Sequence, residues 1–305
     1  MPLLVGLTRH ELVLPAGFSP ATTAFEAQCS IVELRELKDL HSRQTDFCTA
    51  TFRGNWLFEI VRLRASLVLI CLIGLTQLAR AALIAYEPFD YAAGELLLGK
   101  TNGFGFTNAW RPAGFNARVP EGFELRPGRL QFANLATHGT TRVAAEGVRK
   151  EYSEIYGIGR CVVTNFGISG TTFYLSYLCR VDKEGEYTSV IIGNGDGREL
   201  SIGKSGTAND YVIAQRGGIG RIGAGIGQSV GKTVFIVVKM EFRDGMDRFT
   251  MFVNPKPGSP EPGKGIVKED LDLEPTNMII LYSRGAWSVD ELRLGTTWAD
   301  VTPTM

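Results

Sequence analysis

Apolar and polar residues alternate along most of the chain after residue 86, which is the pattern of half-buried β-strands. The clearest example is the stretch 233–242, whose apolar side chains share one face: Val234, Ile236, Val238, Met240 and Phe242. Asp244 and Gly245 then provide a hairpin-type turn, and residues 248–254 return as the next strand. About a dozen short strands of this kind, with turns between them and no convincing helix, predict a sandwich or barrel made by a single domain.

The stretch 173–180 alternates in the same way, but its two faces differ in chemistry. One face is predicted to belong to the core and carries Phe173, Leu175, Tyr177 and Cys179. The opposite face carries Tyr174 and Arg180, which we expect to line a groove.

A different pattern precedes this domain. Residues 65–75 form the longest apolar run, with Arg62 and Arg64 before it and the small-x-small sequence of residues 79–81 after it. These are the parts of a signal peptide in their proper order, so we assign residues 61–81 to a signal peptide that is cleaved after Ala81. The mature domain then spans residues 82–305 and is secreted, periplasmic or located at the cell surface. A buried helix and a signal anchor are the alternatives.

Residues 1–60 precede the predicted signal peptide, although such a peptide normally begins a protein. Met1 is the only methionine before Met240, and Val61 would fit a GTG start codon read as valine. We interpret residues 1–60 as a disordered leader or as an artefact of the chosen start site.

The composition removes two classes of partner. Lys+Arg and Asp+Glu number 32 each, and no basic stripe is present, so nucleic acid is not expected as a partner. No apolar run reaches about 18 residues, so the mature chain is expected to have no transmembrane span. The 36 glycines suit many strands joined by tight turns.

The mature chain has two cysteines, Cys161 and Cys179, placed symmetrically about Gly170. If residues 161–179 form a hairpin, the two thiols lie opposite each other and a cross-strand disulfide becomes geometrically accessible. Two buried free thiols are the alternative. A zinc site does not fit, because His138 is the only histidine of the mature chain.

Five segments of the mature chain carry a recurring family pattern. They are YEPFDYAAGELLLGKTNGFGFTNAW at 86–110, LRPGRLQFANL at 125–135, FYLSYLCR at 173–180, VFIVVKMEF with DRFTMFVNP at 234–255, and WSVDELRLGTTWADVTP at 287–303. In this order, and over nearly all of the mature chain, they resemble the bacterial branch of the concanavalin A-like lectin/glucanase (LamG-like) family. The resemblance implies an all-β, two-sheet antiparallel jelly-roll sandwich whose termini lie close together. It implies no single function, because the family includes sugar-binding modules, glucanases and scaffold modules.

The resemblance draws attention to three alternating carboxylates, Asp270, Asp272 and Glu274. Glucanases of this superfamily carry alternating carboxylates on one strand, where one acts as nucleophile and another as general acid. Here the first position is Asp and not Glu, the segment follows a proline-rich loop, and Pro275 comes directly after it. We therefore favour a solvated loop or edge segment and keep catalysis by these residues as the alternative.

Calcium is the candidate cofactor, because relatives often hold this ion at the rim of the sandwich with loop oxygens. The candidate ligands are Asn194 and Asp196 in one turn, and Asp244 and Asp247 in another. Ordinary turn chemistry, in which Asn, Asp and Gly dominate, is the favoured alternative.

Sugar binding needs an aromatic ring to stack on a pyranose and polar groups to bind its hydroxyls. The candidate ligand-binding residues are Trp110, Arg111, Tyr174, Arg180, Tyr187 and Trp287. The leading hypothesis is an exported, non-catalytic module that binds a polysaccharide, a cell-surface glycan or a surface protein. A divergent glycoside hydrolase of the laminarinase type and a structural module of the cell envelope are the alternatives.

Overall fold

The protein is described by a computed structural model that covers residues 82–113, 122–145, 156–183, 187–193, 198–204, 210–227 and 230–305. The predicted leader and signal peptide lie outside these residues, and so do Asn194 and Asp196.

The described residues form fifteen strands and one short helix, with a 3-10 turn at Arg216–Gly218. The strands are β1 Leu83–Glu87, β2 Arg111–Pro112, β3 Phe123–Pro127, β4 Thr141–Ala145, β5 Tyr156–Phe166, β6 Thr172–Val181, β7 Thr188–Ile192, β8 Leu200–Lys204, β9 Tyr211–Gln215, β10 Ile219–Gly223, β11 Thr233–Glu241, β12 Arg248–Val253, β13 Ile266–Lys268, β14 Thr276–Ser283 and β15 Trp287–Gly295. The helix α1 is Trp298–Val301, and Thr297 caps it by accepting a hydrogen bond from the backbone N–H of Asp300. In this part of the chain no helix has the length and apolar character needed to cross a membrane.

The strands form two antiparallel sheets. The eight-stranded sheet has the order β13-β12-β11-β6-β15-β4-β3, with β1 also paired to β15, and the seven-stranded sheet has the order β10-β9-β8-β7-β14-β5-β2. Neighbours in the sheets are often distant in sequence, as expected for a jelly roll. The first and last strands, β1 and β15, pair directly, so the ends of the domain lie together. These findings confirm the predicted all-β, two-sheet antiparallel jelly-roll sandwich.

The core lies between the two sheets and follows the predicted alternation. The apolar face of β11, from Val234 to Met240, is buried there together with Phe242. After the turn at Asp244 and Gly245, β12 pairs with β11 in the register that places Glu241 opposite Arg248. Burial of apolar surface between the sheets stabilises the fold by about 25 cal/mol per Å².

The outer face of the eight-stranded sheet carries a second apolar cluster. Tyr174 and Leu178 of β6 lie on this face, as predicted, while Phe173 and its alternating partners enter the main core. However, Trp298 of α1 packs edge-on against Tyr174, with ring centroids 6.3 Å apart. The expected groove beside Tyr174 is therefore filled at this point by the C-terminal helix.

The predicted hairpin between the two cysteines is not formed. Cys161 lies on β5 in the seven-stranded sheet, whereas Cys179 lies on β6 in the eight-stranded sheet. Cys179 belongs to the core cluster, while the Cys161 sulfur accepts a hydrogen bond from the Arg111 guanidinium on the neighbouring edge strand. Consecutive strands of a jelly roll can belong to opposite sheets, so the two thiols do not lie opposite each other on paired strands. Both thiols are buried and free.

Candidate functional site

The outer face of the seven-stranded sheet is lined by small, hydroxylic and aromatic side chains. Val190, Ile192 and Ile202 point into the core, so the alternating residues of the same strands point away from it. We call this set the tyrosine face and define it by Tyr187, Ser189, Ile191, Ser201, Ile280 and Tyr282, with Glu199 and Arg216 at one end. Only Tyr187 and Arg216 are half-buried, and the other members are buried.

Two tyrosines form the aromatic part of the tyrosine face. The rings of Tyr187 and Tyr282 meet edge to face, with centroids 5.5 Å apart and planes at 84°. The Tyr187 hydroxyl is 2.7 Å from the Ser201 hydroxyl and accepts a hydrogen bond from Ser189 at 3.4 Å. Burial raises the pKa of Tyr282, against an opposing effect of Arg284, so its phenol is uncharged at neutral pH.

An ion pair forms the polar end of the tyrosine face. Glu199 is completely buried, and its Oε2 accepts a hydrogen bond from Arg216 at 2.5 Å. The Arg216 guanidinium also lies 5.9 Å from the centre of the Tyr282 ring, which connects the ion pair to the aromatic part. A cation near an aromatic ring is attracted to its negative face.

The position of Glu199 depends on a glycine. Gly193 lies at the end of β7 with φ of +152°, and a Cβ atom built there would lie 2.5 Å from the Cγ of Glu199. The glycine therefore leaves space for the glutamate side chain to lie across the strand. In this position the second carboxylate oxygen, Oε1, is buried and has no hydrogen-bond partner.

Sequence reasoning found one member of this cluster, Tyr187, and missed Glu199, Arg216 and Tyr282. Over residues 199–202, Glu199 and Ser201 alternate with Leu200 and Ile202, which was a usable signal for an outward face. The signal could not show that β7 lies between β8 and β14, because strand order is not encoded in local alternation.

Both tryptophan candidates are core residues, which corrects their assignment as ligand-binding residues. Trp110 is 0% exposed, and its Nε1 donates to the buried Glu87 carboxylate at 3.0 Å. Trp287 is 2% exposed and belongs to the same core cluster. An indole ring buries a large apolar area, which favours the core. The Trp110 N–H has an acceptor there, and the Trp287 side chain lies on the core face of its strand.

The remaining candidates for ligand binding are dispersed. Tyr174 donates its hydroxyl to Glu261 at 2.8 Å on the eight-stranded sheet, and Arg180 pairs with Asp182 at 2.6 Å. Arg111 is exposed on the edge strand β2 of the other sheet. The structure thus places Tyr174 and Arg180 on one sheet and Arg111 and Tyr187 on the other.

The alternating carboxylates are exposed in an extended segment. Leu271 and Leu273 between them are buried, so Asp270, Asp272 and Glu274 point to solvent. Asp270 pairs with Lys268 at 2.6 Å and Glu274 pairs with Arg198 at 2.9 Å. This arrangement agrees with the favoured interpretation of a solvated segment.

The metal candidates within the described residues have other partners. Both carboxylate oxygens of Asp247 accept backbone N–H groups, from Arg243 at 2.9 Å and from Leu273 at 2.8 Å. Asp244 accepts a hydrogen bond from Ser169 at 2.6 Å. Over the described part of the chain, no three His, Cys, Asp or Glu side chains are grouped in a way that could hold a metal ion.

A polar recess of about 510 Å³ lies on the eight-stranded sheet, between β11, β12 and the loop that contains Glu261. Its charged groups neutralise one another, since Lys239 pairs with Glu261 at 3.3 Å and Arg248 with Glu241 at 3.6 Å. No aromatic ring presents an open face in this recess, because Phe252 is only 5% exposed and packs edge-on against Trp298. The tyrosine face differs from this recess in that one of its aromatic rings, that of Tyr187, is only half-buried, and it is kept as the candidate site.

Comparison with known proteins finds similar solved structures at low identity. An endo-1,3-β-glucanase from Streptomyces sioyaensis is 9% identical and aligns over 71% of this chain and 96% of its own, with a TM-score of 0.44. Domain 4 of AbnA, an extracellular arabinanase from Geobacillus stearothermophilus in complex with arabinotriose, is 13% identical over 73% of this chain and 97% of its own, with a TM-score of 0.43. An endo-β-1,4-glucuronan lyase from Trichoderma reesei is 14% identical over 64% and 97%, with a TM-score of 0.40.

No protein-family model matches the sequence, and no curated protein matches it either. At these identities and TM-scores the similarity is a partial one of architecture. The resemblance to the LamG-like branch therefore stays a prediction, and any function has to be supported by the residues of this chain.

Proposed function

We propose that the domain is an exported, non-catalytic module that binds a saccharide on the tyrosine face. The observation that carries this proposal is the joining of two tyrosine rings, two serine hydroxyls and an Arg–Glu pair on the outer face of the seven-stranded sheet, where Tyr187 and Arg216 are half-buried at the edge of a buried cluster. A sugar has apolar C–H faces and a rim of hydroxyl groups, so it needs aromatic contact and hydrogen-bonding groups at the same place.

The chemistry of the opposite surface supports this choice by contrast. On the outer face of the eight-stranded sheet, Phe132, Phe235 and Phe252 pack with α1 and its neighbouring loops. A ligand would have to displace these internal contacts, which would cost the stability that they supply.

The experiment is a glycan-array screen of residues 82–305, followed by calorimetry on the strongest saccharide. Tyr187→Ala removes an aromatic ring and the hydroxyl that contacts Ser201, so at least tenfold weaker binding is expected. Tyr174→Ala is the matched control, because it removes a tyrosine with a bonded hydroxyl from the opposite sheet. Equal losses in both variants, or an array without any bound glycan from folded protein, would contradict the proposal.

Catalysis of the laminarinase type stays the alternative, with Asp270, Asp272 and Glu274 as its residues. A retaining mechanism needs two carboxyl groups about 5–5.5 Å apart on either side of a bound sugar. The exposed, separately paired carboxylates supply no such enclosed pair. Release of reducing sugar from laminarin by the wild type, abolished by Glu274→Gln, would favour the hydrolase over the binding module.

Export belongs to the same proposal and depends on residues 61–81. If they are a signal peptide, mass spectrometry of the protein recovered from the periplasm or medium will give an N-terminus at Ala82. Recovery of peptides from residues 1–56 in cells would contradict the interpretation of residues 1–60 as an artefact.

A further inference from the structure

Three arginines cross the outer face of the eight-stranded sheet, and we call them the arginine row. Arg126 of β3 lies directly opposite Arg142 of β4, and Arg180 of β6 lies two strands further along, beyond β15. Like charges that lie directly opposite each other on neighbouring strands destabilise a sheet. The row is accessible, since the side chains of Arg126 and Arg180 are 36% and 27% exposed and Arg142 is half-buried.

Arg142 is the member of the row that has no counter-charge. Its Nη1 donates to the carbonyl oxygens of Pro127 and Gly128, and its Nε donates to the Ser288 hydroxyl at 3.3 Å. Within the described part of the chain, no carboxylate forms an ion pair with this guanidinium, and its Nη2 group has no hydrogen-bond acceptor. A fixed, half-buried cation therefore keeps one donor group for a ligand.

The two carboxylates whose charge acts on Arg142 have other partners. Asp182 pairs with Arg180 at 2.6 Å, and both oxygens of Asp290 accept backbone N–H groups. Burial, followed by the charge of Arg180, lowers the pKa of the Arg142 guanidinium against the opposing effect of Asp182. An anion bound beside Arg142 would supply the missing negative charge and favour the charged guanidinium.

The spacing and the mixed charge of the row indicate the kind of ligand. Neighbouring strands lie about 4.8 Å apart, so the row extends over roughly 14 Å and suits a chain of repeated anionic groups. Hydrogen-bond acceptors accompany the cations, because Glu124 pairs with Arg126 and Asp182 pairs with Arg180. These carboxylates would repel the closely spaced phosphates of a nucleic acid, whereas they can accept hydrogen bonds from hydroxyl groups.

We propose that the arginine row binds an acidic polysaccharide, with Arg142 contacting its carboxylate or sulfate groups and the neighbouring carboxylates contacting its hydroxyls. The Nη2 group of Arg142 can donate to such an oxyanion, and hydrogen bonds between ionised groups are about twice as strong as neutral ones. The row lies on the sheet opposite the tyrosine face, so this inference goes beyond the proposed function and does not depend on that site.

The test is calorimetry at low salt, where surface charges are least screened, with hexamers of one backbone and different charge. The probes are β-1,4-glucuronan, sulfated cellohexaose and cellohexaose, which has an alcohol where glucuronan has a carboxylate. Arg142→Gln removes the central cation, so the affinity for the charged hexamers that the wild type binds is expected to fall at least about tenfold. The affinity for cellohexaose should not change, and the two charged probes distinguish carboxylate from sulfate.

Arg243→Gln is the matched control. Arg243 is an exposed arginine paired with Glu269 at 3.3 Å, and its replacement changes the net charge of the protein by the same amount. It should leave all three affinities unchanged. If Arg142→Gln does not fold, Arg180→Gln takes its place, because it removes another surface cation of the row, and the affinity for the charged hexamers should fall at least about threefold.

The outcomes separate this inference from the proposed function. Equal losses in Arg142→Gln and Arg243→Gln, or a thymidine hexanucleotide bound as tightly as the charged hexamers, would reveal unspecific charge attraction and overturn the inference. A loss of glucuronan binding in Tyr187→Ala but not in Arg142→Gln would overturn it in favour of the tyrosine face. A folded wild type that binds neither charged hexamer overturns it as well, and leaves the test of the tyrosine face by Tyr187→Ala unaffected.

Discussion

Two buried carboxylate–guanidinium pairs lie in different parts of the sandwich and differ in how completely they are satisfied. Glu87 accepts hydrogen bonds from Arg160 at 2.7 Å, from Trp110 at 3.0 Å, from Tyr91 at 2.9 Å and from the Phe89 backbone at 3.0 Å. Glu199 accepts one from Arg216 and leaves Oε1 without a donor. Both carboxylates are 0% exposed, so burial alone does not distinguish them.

The difference is in what each pair connects. Arg160 also donates to the carbonyl oxygens of Thr101, Asn102 and Asn108, which fixes the glycine-rich segment 101–108 to β5. A saturated pair of this kind determines structure, because every removed partner leaves another group unpaired. The Glu199 pair lacks such a complete set of donors, because Oε1 accepts no hydrogen bond.

The largest expected effect is on stability at the Glu87 pair. Glu87→Gln turns one of its two acceptor oxygens into a donor that faces other donors, and it leaves Arg160 buried without a counter-charge. We expect the free energy of unfolding in urea to fall by about 3–5 kcal/mol. A loss below about 1 kcal/mol would show that the saturated network contributes little to the fold.

The segment fixed by Arg160 gives the second prediction. Gly105 has φ of +80°, and a Cβ built on it would lie 2.0 Å from the carbonyl oxygen of Ile84. Gly105→Ala is therefore expected to cost about 2–4 kcal/mol in urea unfolding, from a backbone clash added to a strained φ.

Gly94→Ala is the matched control for this substitution. Gly94 has φ of +86° but nothing within 4 Å of its built Cβ, so only the conformational cost of about 1 kcal/mol is expected. Equal losses at Gly94 and Gly105 would mean that the segment can move away from β1.

The third prediction concerns the Glu199 pair, where removal of both charges should be tolerated. Glu199→Gln/Arg216→Gln removes both charges of this pair together, so the free energy of unfolding should change by about 1 kcal/mol or less. Thermal and urea unfolding of the double variant beside wild type will measure this. A loss of stability as large as that of Glu87→Gln would show that the Glu199 pair also stabilises the fold.

The last prediction is a pH dependence that a third buried carboxylate, Asp290, adds to the comparison. Burial, together with the neighbouring Glu291, raises the pKa of Asp290 well above its usual range. A raised pKa in the folded state means that folding favours the protonated acid. The stabilisation is complete below the ordinary pKa near 4 and is lost as the pH rises through the folded value.

Urea unfolding of wild type and Asp290→Asn between pH 4 and 8 will test whether stability falls with rising pH, as predicted. The wild type should lose stability relative to the variant with rising pH, by no more than about 1.4 kcal/mol per pH unit. If the free energy of unfolding changed with pH in the same way for both proteins, the raised pKa of Asp290 would be contradicted.

The sequence by itself determined which residues face the core, because alternation in a strand is a local property. It placed Val234 and Phe242 in the core and separated Tyr174 from Phe173, and the structure confirms both. It also favoured a solvated segment for Asp270, Asp272 and Glu274, because the segment follows a proline-rich loop and precedes Pro275.

Only the tertiary structure decided which strands lie side by side. Cys161 and Cys179 are close in sequence yet lie in opposite sheets, while the Glu199–Arg216 pair, about equally close in sequence, meets the distant Tyr282 on one face. Pairing between distant strands depends on how the two sheets bury their apolar faces together, a property of the whole domain. Local patterns therefore specified each strand, and the packing of the complete sandwich created the candidate site.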